Sequence, residues 1–321
     1  MRTVARACLM MSLFLGCQKK APVAVNKELF ELGVSQGTLD NPELVEVSGL
    51  VESINNPGYL WVHNDSGDKA RLLLIDKQGK QKTTIWLAEA TNRDWEDIAI
   101  GPGPEEGKSY VYIGDIGDND QEYAYKHIYR IEEPVINLNT TSDTTITRVD
   151  QIKFQLPDGP QDTELLMIDP GTRDLYTVSK RKKKVNLYRL TYPQSTTTPM
   201  TAEIALADRD FSKIDGKSIS QQGEETLING YNSQYYYQIV AGDISPDGRE
   251  VLIKSYSSIY YWKKSEQESL IELLKKDPIR LPYEAEPQGE AIGFDAGGKG
   301  YYTISEKRGK ASPQIIFYKR K

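Results

Sequence analysis

The sequence predicts an all-β chain folded as a single β-propeller, and three observations carry that expectation. Tyrosine dominates the aromatics, with 20 Tyr against 6 Phe and 4 Trp, and tyrosine suits strands whose outer end meets water. Five segments share one pattern: a polar or acidic residue, a short apolar strand, a turn rich in Gly, Pro, Asp or Asn, and a second strand of β-branched and aromatic residues. Further strand-like runs follow the first three of these hairpins, as four-stranded blades require, and radial repetition of blades leaves only short sheet edges exposed. With 321 residues, 38% hydrophobic and 27% charged, the chain can bury such a core and is neither a polytopic membrane protein nor a disordered polyampholyte.

The chain opens on MRTVARACLMMSLFLGC, with Arg2 and Arg6 ahead of an apolar run from Ala7 to Leu15, then Gly16 and Cys17. That run is far below the ~18 residues of a membrane-spanning helix, so residues 1–16 read as a secretory signal peptide. Leu-Phe-Leu-Gly-Cys resembles a bacterial lipobox. The resemblance implies cleavage before Cys17, lipidation of Cys17 as the membrane contact, and a place in the cell envelope outside the cytoplasm. The alternative is an ordinary cleavage site that happens to lie beside Cys17. Cleavage at this point also removes Cys8, leaves no free thiol for nucleophilic chemistry, and takes the net charge from -6 to -8. Such a charge argues against a nucleic-acid groove. Residues 17–26 are then a lipidated tether and residues 27–321 the propeller.

The hairpins are VSGLVESINNPGYLWVHNDSG from Val47, WEDIAIGPGPEEGKSYVYIGDIGDN from Trp95, TELLMIDPGTRDLYTVSKR from Thr163, GDISPDGREVLIKSYSS from Gly242 and GEAIGFDAGGKGYYTISEKRG from Gly289. Taking Ser48, Glu96, Glu164, Asp243 and Glu290 as the residues that open each first strand gives spacings of 48, 68, 79 and 47. The short spacings fit one blade, and the long ones fit a blade plus an insertion. Five blades follow, with a sixth as the alternative, hidden around Tyr235 to Tyr237. The C-terminal run PQIIFYKR and the run Glu43 to Val47 are both strand-like, so one terminus is expected to complete a blade begun by the other. Ser265-x-x-Glu268 is a capping box ahead of Leu270, Ile271, Leu273 and Leu274, which predicts a short surface helix near 265–276.

Innermost strands line the channel of a propeller, so equivalent positions in five blades form a ring. Ser48, Glu96, Glu164, Asp243 and Glu290 would bring four carboxylates to one axis, where they cannot all stay ionised unless cations or waters intervene. A hard cation such as Ca2+ accepts a flexible set of oxygen ligands. The alternative is that each acid caps backbone N–H groups at a strand end and they never meet. A second ring, at the ends of the second strands, holds His63, Asn64 and Asp65, then Gly114 and Asp115, Ser179 and Lys180, Lys254 and Ser255, and Ser305 and Glu306. Asp115 and Asp118, in Asp115-Ile-Gly-Asp118-Asn119-Asp120, add Ca2+ ligand candidates without EF-hand spacing, and a plain turn is an equal reading. Lys180 and Arg181 lead the run KRKKK, and Lys307 and Arg308 hold the matching place in the fifth repeat. They either draw in an anion or form a solvated hairpin tip.

No GxSxG elbow, HExxH helix or P-loop is present, and two histidines with two cysteines leave no His-rich zinc site. The catalytic candidates are Glu96, Glu164 and His63, although a lone His at a strand end is commonly just a hydrogen-bonding residue.

LWVHNDSGD (60–68), DWEDIAIGPGP (94–104), YIGDIGDN (112–119), AGDISPDG (241–248) and QGEAI (288–292) together resemble an uncharacterised family of bacterial secreted or lipid-anchored propellers. That family is in turn distantly similar to the phytase-like esterase and SdiA-regulated propellers. The resemblance spans roughly Glu46 to Ser305 and implies a calcium in the channel, with Glu96, Glu164, Asp243 and Glu290 at the matching positions. It implies either a binding role, towards an anionic small molecule, a polymer or an envelope protein, or Ca2+-dependent phosphoester hydrolysis. In hydrolysis the ion would polarise a phosphoryl oxygen, with Glu96, Glu164 or His63 as base and Lys180 or Arg181 holding the anion. Asp162-Thr163-Glu164 departs from the more His-containing stretch expected there, and Gly216 to Gln238 is an insertion. Binding is the favoured expectation, since no nucleophile and base pair stands out and fold does not fix function.

Overall fold

In the computed structural model, which describes residues 24–140, 142–215, 227–228, 231–232, 237–284, 286–307, 309 and 311–321, five sheets stand around one axis with their first strands innermost. These inner strands are Val47–Glu52, Trp95–Pro102, Thr163–Ile168, Ile239–Ile244 and Gly289–Phe294. Each packs against the next and the fifth against the first, which closes a five-bladed propeller. The sixth-blade alternative falls away. Among the described residues Tyr231–Asn232 pairs with Leu227–Ile228 in a two-residue ladder, and Ile239 already belongs to blade four.

Side chains alternate across a strand, so successive residues of an inner strand face different neighbours. Leu50 joins the apolar layer between blades five and one, whereas Val51 joins the layer between one and two. Leu166 and Ile168 face blade two, and Leu165 and Met167 face blade four. Inner strands are therefore buried along almost their whole length rather than on alternate residues, as sheets covered on both faces must be. The core is five interblade layers, one per interface. Trp61, Trp95, Tyr112 and Tyr301 are fully buried within them, each worth roughly 2–3 kcal/mol of burial.

The ring is sealed by Val34–Thr38, the outermost strand of blade five, which pairs antiparallel with Gln314–Lys319, Val34 opposite Phe317. One terminus thus completes the blade of the other, but with this strand rather than Glu43 to Val47, which leads directly into the first inner strand. The long repeat spacings contain excursions to the preceding blade and, between blades three and four, the stretch from residue 210 to 238. Thr144–Ile146 pairs in parallel with Gln81–Leu87 of blade one, and Met200–Thr201 does so with Asp150–Gln155 of blade two. The helix is shorter than expected, Leu270–Lys275, and its capping box is Ser269 with Glu272. On the turn just before it, Ser265 donates its N–H (3.3 Å) and its hydroxyl (2.9 Å) to Glu268 Oε2, and the Glu268 N–H donates to the Ser265 carbonyl rather than to its side chain. Leu270, Leu273 and Leu274 pack onto the layer between blades three and four. Among the described residues no helix is long and apolar enough to cross a membrane.

Candidate functional site

At one mouth of the channel every inner strand begins with a β-bulge, the register shifting between Val47 and Gly49, Trp95 and Asp97, Thr163 and Leu166, Ile239 and Ala241, and Gly289 and Ala291. The bulges carry Ser48, Glu96, Glu164, Val240 and Glu290, and a bulge re-aims the side chain it carries. The blade-four equivalent is therefore Val240, not Asp243. Asp243 lies three residues further along, where its carboxylate accepts the N–H groups of Ile244 (2.8 Å) and Phe294 (2.7 Å). It is a backbone cap that joins blades four and five. Two residues before each bulge stand Glu46, Asp94, Asp162, Gln238 and Gln288, and directly after the second strands stand Asp65, Ile116, Lys180, Tyr256 and Glu306.

Seven carboxylates from these three levels come together. Oxygens of Glu96, Asp162 and Glu164 lie within 4.8 Å of one another, as do those of Asp65, Asp94 and Glu96, and those of Asp65, Glu290 and Glu306. Asp65 and Glu96 each belong to two triads, so the seven form one arc around the mouth. The turn at residues 116–118 closes against it. A Cβ on Gly117 would fall 2.2 Å from Glu96 Oε1 and 2.4 Å from Asp94 Oδ2, an approach that only glycine permits. The next residue, Asp118, donates its N–H to Asp162 Oδ1 at 2.9 Å.

Two cations touch the arc directly. Lys180 Nζ donates to Glu164 Oε1, and Arg181 Nε donates to Asp162 Oδ2 at 2.5 Å. The Tyr256 hydroxyl donates to Glu290. Glu164 is 1% exposed, and its second oxygen, Oε2, is buried without a hydrogen-bond partner. Burial is the main reason that Asp65, Asp94, Glu96 and Glu164 hold their protons more tightly than usual. Burial, then the charge of Glu290, pushes Asp65 up to about 8; burial, then Asp162, pushes Asp94 up to about 6. Burial raises Glu164 to about 7 against the pull of the Lys180 ammonium, and it raises Glu96 well above the carboxylate range, with Glu164 adding to the effect. For Lys180 burial works the other way, but the surrounding acids, Glu164 foremost, hold its pKa well above the ordinary lysine value.

The remaining candidates lie elsewhere. Asp115 accepts the Asp94 N–H (2.8 Å), and Asp118 accepts those of Glu122 (2.8 Å) and Tyr123 (3.0 Å). Neither belongs to the three triads; both carboxylates cap backbone N–H groups. His63 is fully buried, with Nδ1 3.0 Å from the Asn64 carbonyl oxygen and its ring edge-on to Trp95 at 5.4 Å. Its Nε2 faces Gly49, where a Cβ would sit 2.2 Å away. Burial lowers its pKa to about 4, and the enclosed ring packs between blades one and two with Nδ1 3.4 Å from the Ser48 hydroxyl. Lys180 is a buried counter-ion within the arc; Arg181, paired with Asp162, is exposed, as are Lys182, Lys183 and Lys184. The Lys307 N–H donates to the Val45 carbonyl at 2.8 Å. Cys17 and Arg308 lie outside the described residues, as does most of the 216–238 insertion.

Next to the arc the channel is bridged. Asp97, fully buried, accepts the N–H groups of Ile98 (2.9 Å), Leu166 (2.9 Å) and Gly242 (3.3 Å), which ties together blades two, three and four. The far mouth opens into a cavity of about 280 Å³ lined by Ile100, Pro102, Ile168, Ile244 and Phe294 among others.

Fold and site together define an all-β, five-bladed propeller with an acidic mouth. No family model and no curated protein matches the chain. Among solved structures it is similar to hydrazine synthase of Kuenenia stuttgartiensis, at 11% identity over 86% of this chain and 71% of that one, with a TM-score of 0.41. The blade count rests on the strand order alone.

Proposed function

We propose that this is a lipid-anchored propeller of the cell envelope that binds a ligand at its acidic mouth through a divalent cation, Ca2+ by preference, held by Glu96, Glu164, Asp65 and Glu290 with their neighbours. The observation that carries the reading is Glu164 Oε2, a carboxylate oxygen buried without a donor inside the Glu96, Asp162 and Glu164 triad. Burial makes Glu96 and Glu164 hold their protons more tightly than usual, and a cation among the oxygens would favour their ionised forms. A bound ion would offer its free coordination positions to an oxygen-rich or anionic ligand, whether a small molecule, a polymer or an envelope protein. Support for the anchor comes from the lipobox-like sequence ending at Cys17, together with the resemblance to secreted and lipid-anchored propellers.

Thermal unfolding of the chain from residue 18, with chelator or with Ca2+, tests the ion. Free Ca2+ at a hundredfold excess over its dissociation constant stabilises by ~2.7 kcal/mol, a rise in Tm of roughly 5 °C for a chain of this size. Glu96→Gln should lose most of that rise. A wild-type midpoint that Ca2+ leaves unmoved would remove the cation from this account. The phosphoesterase alternative needs Lys180 or Arg181 free to hold the anion, and both are paired with acids. A panel of phosphate esters should show no turnover. Calcium-dependent turnover abolished in Glu164→Gln would replace binding with catalysis.

A further inference from the structure

Of the five residues that directly follow the second strands, Asp65, Ile116, Lys180, Tyr256 and Glu306, only that of blade three is a cation. Lys180 is enclosed, touches Glu164 Oε1, and holds its Nζ 5.5 Å above the Tyr256 ring, whose hydroxyl reaches Glu290. The ammonium thus stands between the triad of Glu96, Asp162 and Glu164 and the triad of Asp65, Glu290 and Glu306. It satisfies one oxygen of Glu164 and leaves the other, Oε2, buried and without a partner.

We infer that Lys180 is a tethered internal competitor of the cation at this mouth: its ammonium neutralises Glu164 when no divalent ion is bound and is displaced from Glu164 when one enters, so that Lys180 sets the ion concentration at which the mouth fills. The inference rests on the cation reading above. The physical reason is that an ammonium and a hard divalent ion seek the same anionic oxygens. The ion brings twice the charge and six to eight coordination positions, whereas Lys180 brings a high local concentration because it is covalently tethered. An arriving ion must take Glu164 from Lys180 and feels like-charge repulsion from the ammonium. The face of Tyr256 gives the released ammonium a cation–π contact on its way out. The pairing keeps the acid arc tolerable in calcium-poor surroundings and raises the calcium level needed to fill it.

Titration calorimetry of the full chain in detergent with CaCl2 alone tests this, comparing wild type with Lys180→Gln and Lys180→Arg. Lys180→Gln should bind Ca2+ at least ~10-fold more tightly, since a nearby positive charge is gone, and should unfold at a lower temperature in chelator. Lys180→Arg should stay near wild type. Equal or weaker binding by Lys180→Gln, in a wild type that does bind, would overturn the role of Lys180 and leave the cation reading intact. If neither protein binds Ca2+, the cation reading fails and takes this inference with it. A second measurement needs no variant: acetylation of wild-type lysines by an activated ester, mapped by mass spectrometry. Lys180 should be shielded in chelator and labelled several-fold faster in Ca2+, and labelling that calcium does not change overturns displacement.

Discussion

At the scale of residues the mouth depends on one spacing used twice, Asp94-Trp95-Glu96 and Asp162-Thr163-Glu164. The first acid of each pair stands just before an inner strand and the second in its bulge, so each D-x-E brings two acids to the arc, while Trp95 packs into the layer between blades one and two and the Thr163 hydroxyl donates to the Ile116 carbonyl. Gly117 lets the 116–118 turn lie against the first pair. Gly117→Ala must push aside the Glu96 and Asp94 carboxylates, and we expect a loss of about 1–3 kcal/mol in denaturant unfolding, together with a weaker response to Ca2+; wild-type stability in this variant would contradict the packing described. Glu96, Glu164 and Glu290 were legible in the sequence because each opens a recognisable apolar strand. Asp243 was misleading because the stretch GDISPDG puts an acid near a strand start, and aligning repeats on acids rather than on the apolar run shifts blade four by three residues, hiding Val240. Asp94 and Asp162 went unassigned to the arc because they precede the strands. Asp65 and Glu306 lay in the second ring of mixed acids and bases, where sequence alone did not separate members of the arc from bystanders.

At the scale of elements the hairpins were readable because each combines a turn signal with a strand buried on both faces. The parallel excursions Thr144–Ile146 and Met200–Thr201 were not, since they are three and two residues long and largely exposed, too short to show a period. The helix shows how two overlapping signals compete. Both Ser265-x-x-Glu268 and Ser269-x-x-Glu272 satisfy the capping pattern, but only the second has a buried leucine directly after the cap, and the helix starts there. Ser269→Ala should therefore cost about 1 kcal/mol, and Ser265→Ala less than about half of that. Equal losses in urea unfolding would mean that the two boxes share the work of starting the helix.

At the scale of the whole molecule the acids of the mouth tie stability to pH. Asp65, Asp94 and Glu164 are raised to about 8, 6 and 7, so the folded chain binds protons that the unfolded chain has already released. Stability from these groups is fully present below their unfolded values near pH 4 and is lost as pH rises through the folded values, over roughly pH 4 to 8. In chelator, Tm should fall by about 5 °C or more between pH 5 and pH 8, and Ca2+ should abolish most of the fall; a midpoint that is flat or rises over that range in chelator would show that the arc is not under this strain. The same molecule is also fastened along its axis from within. The Asp97 carboxylate of blade two receives the Leu166 amide of blade three and the Gly242 amide of blade four, so three inner strands hang from one side chain as spokes drawn to a single rivet, with the acidic mouth beginning one residue before it and the far cavity a few residues beyond.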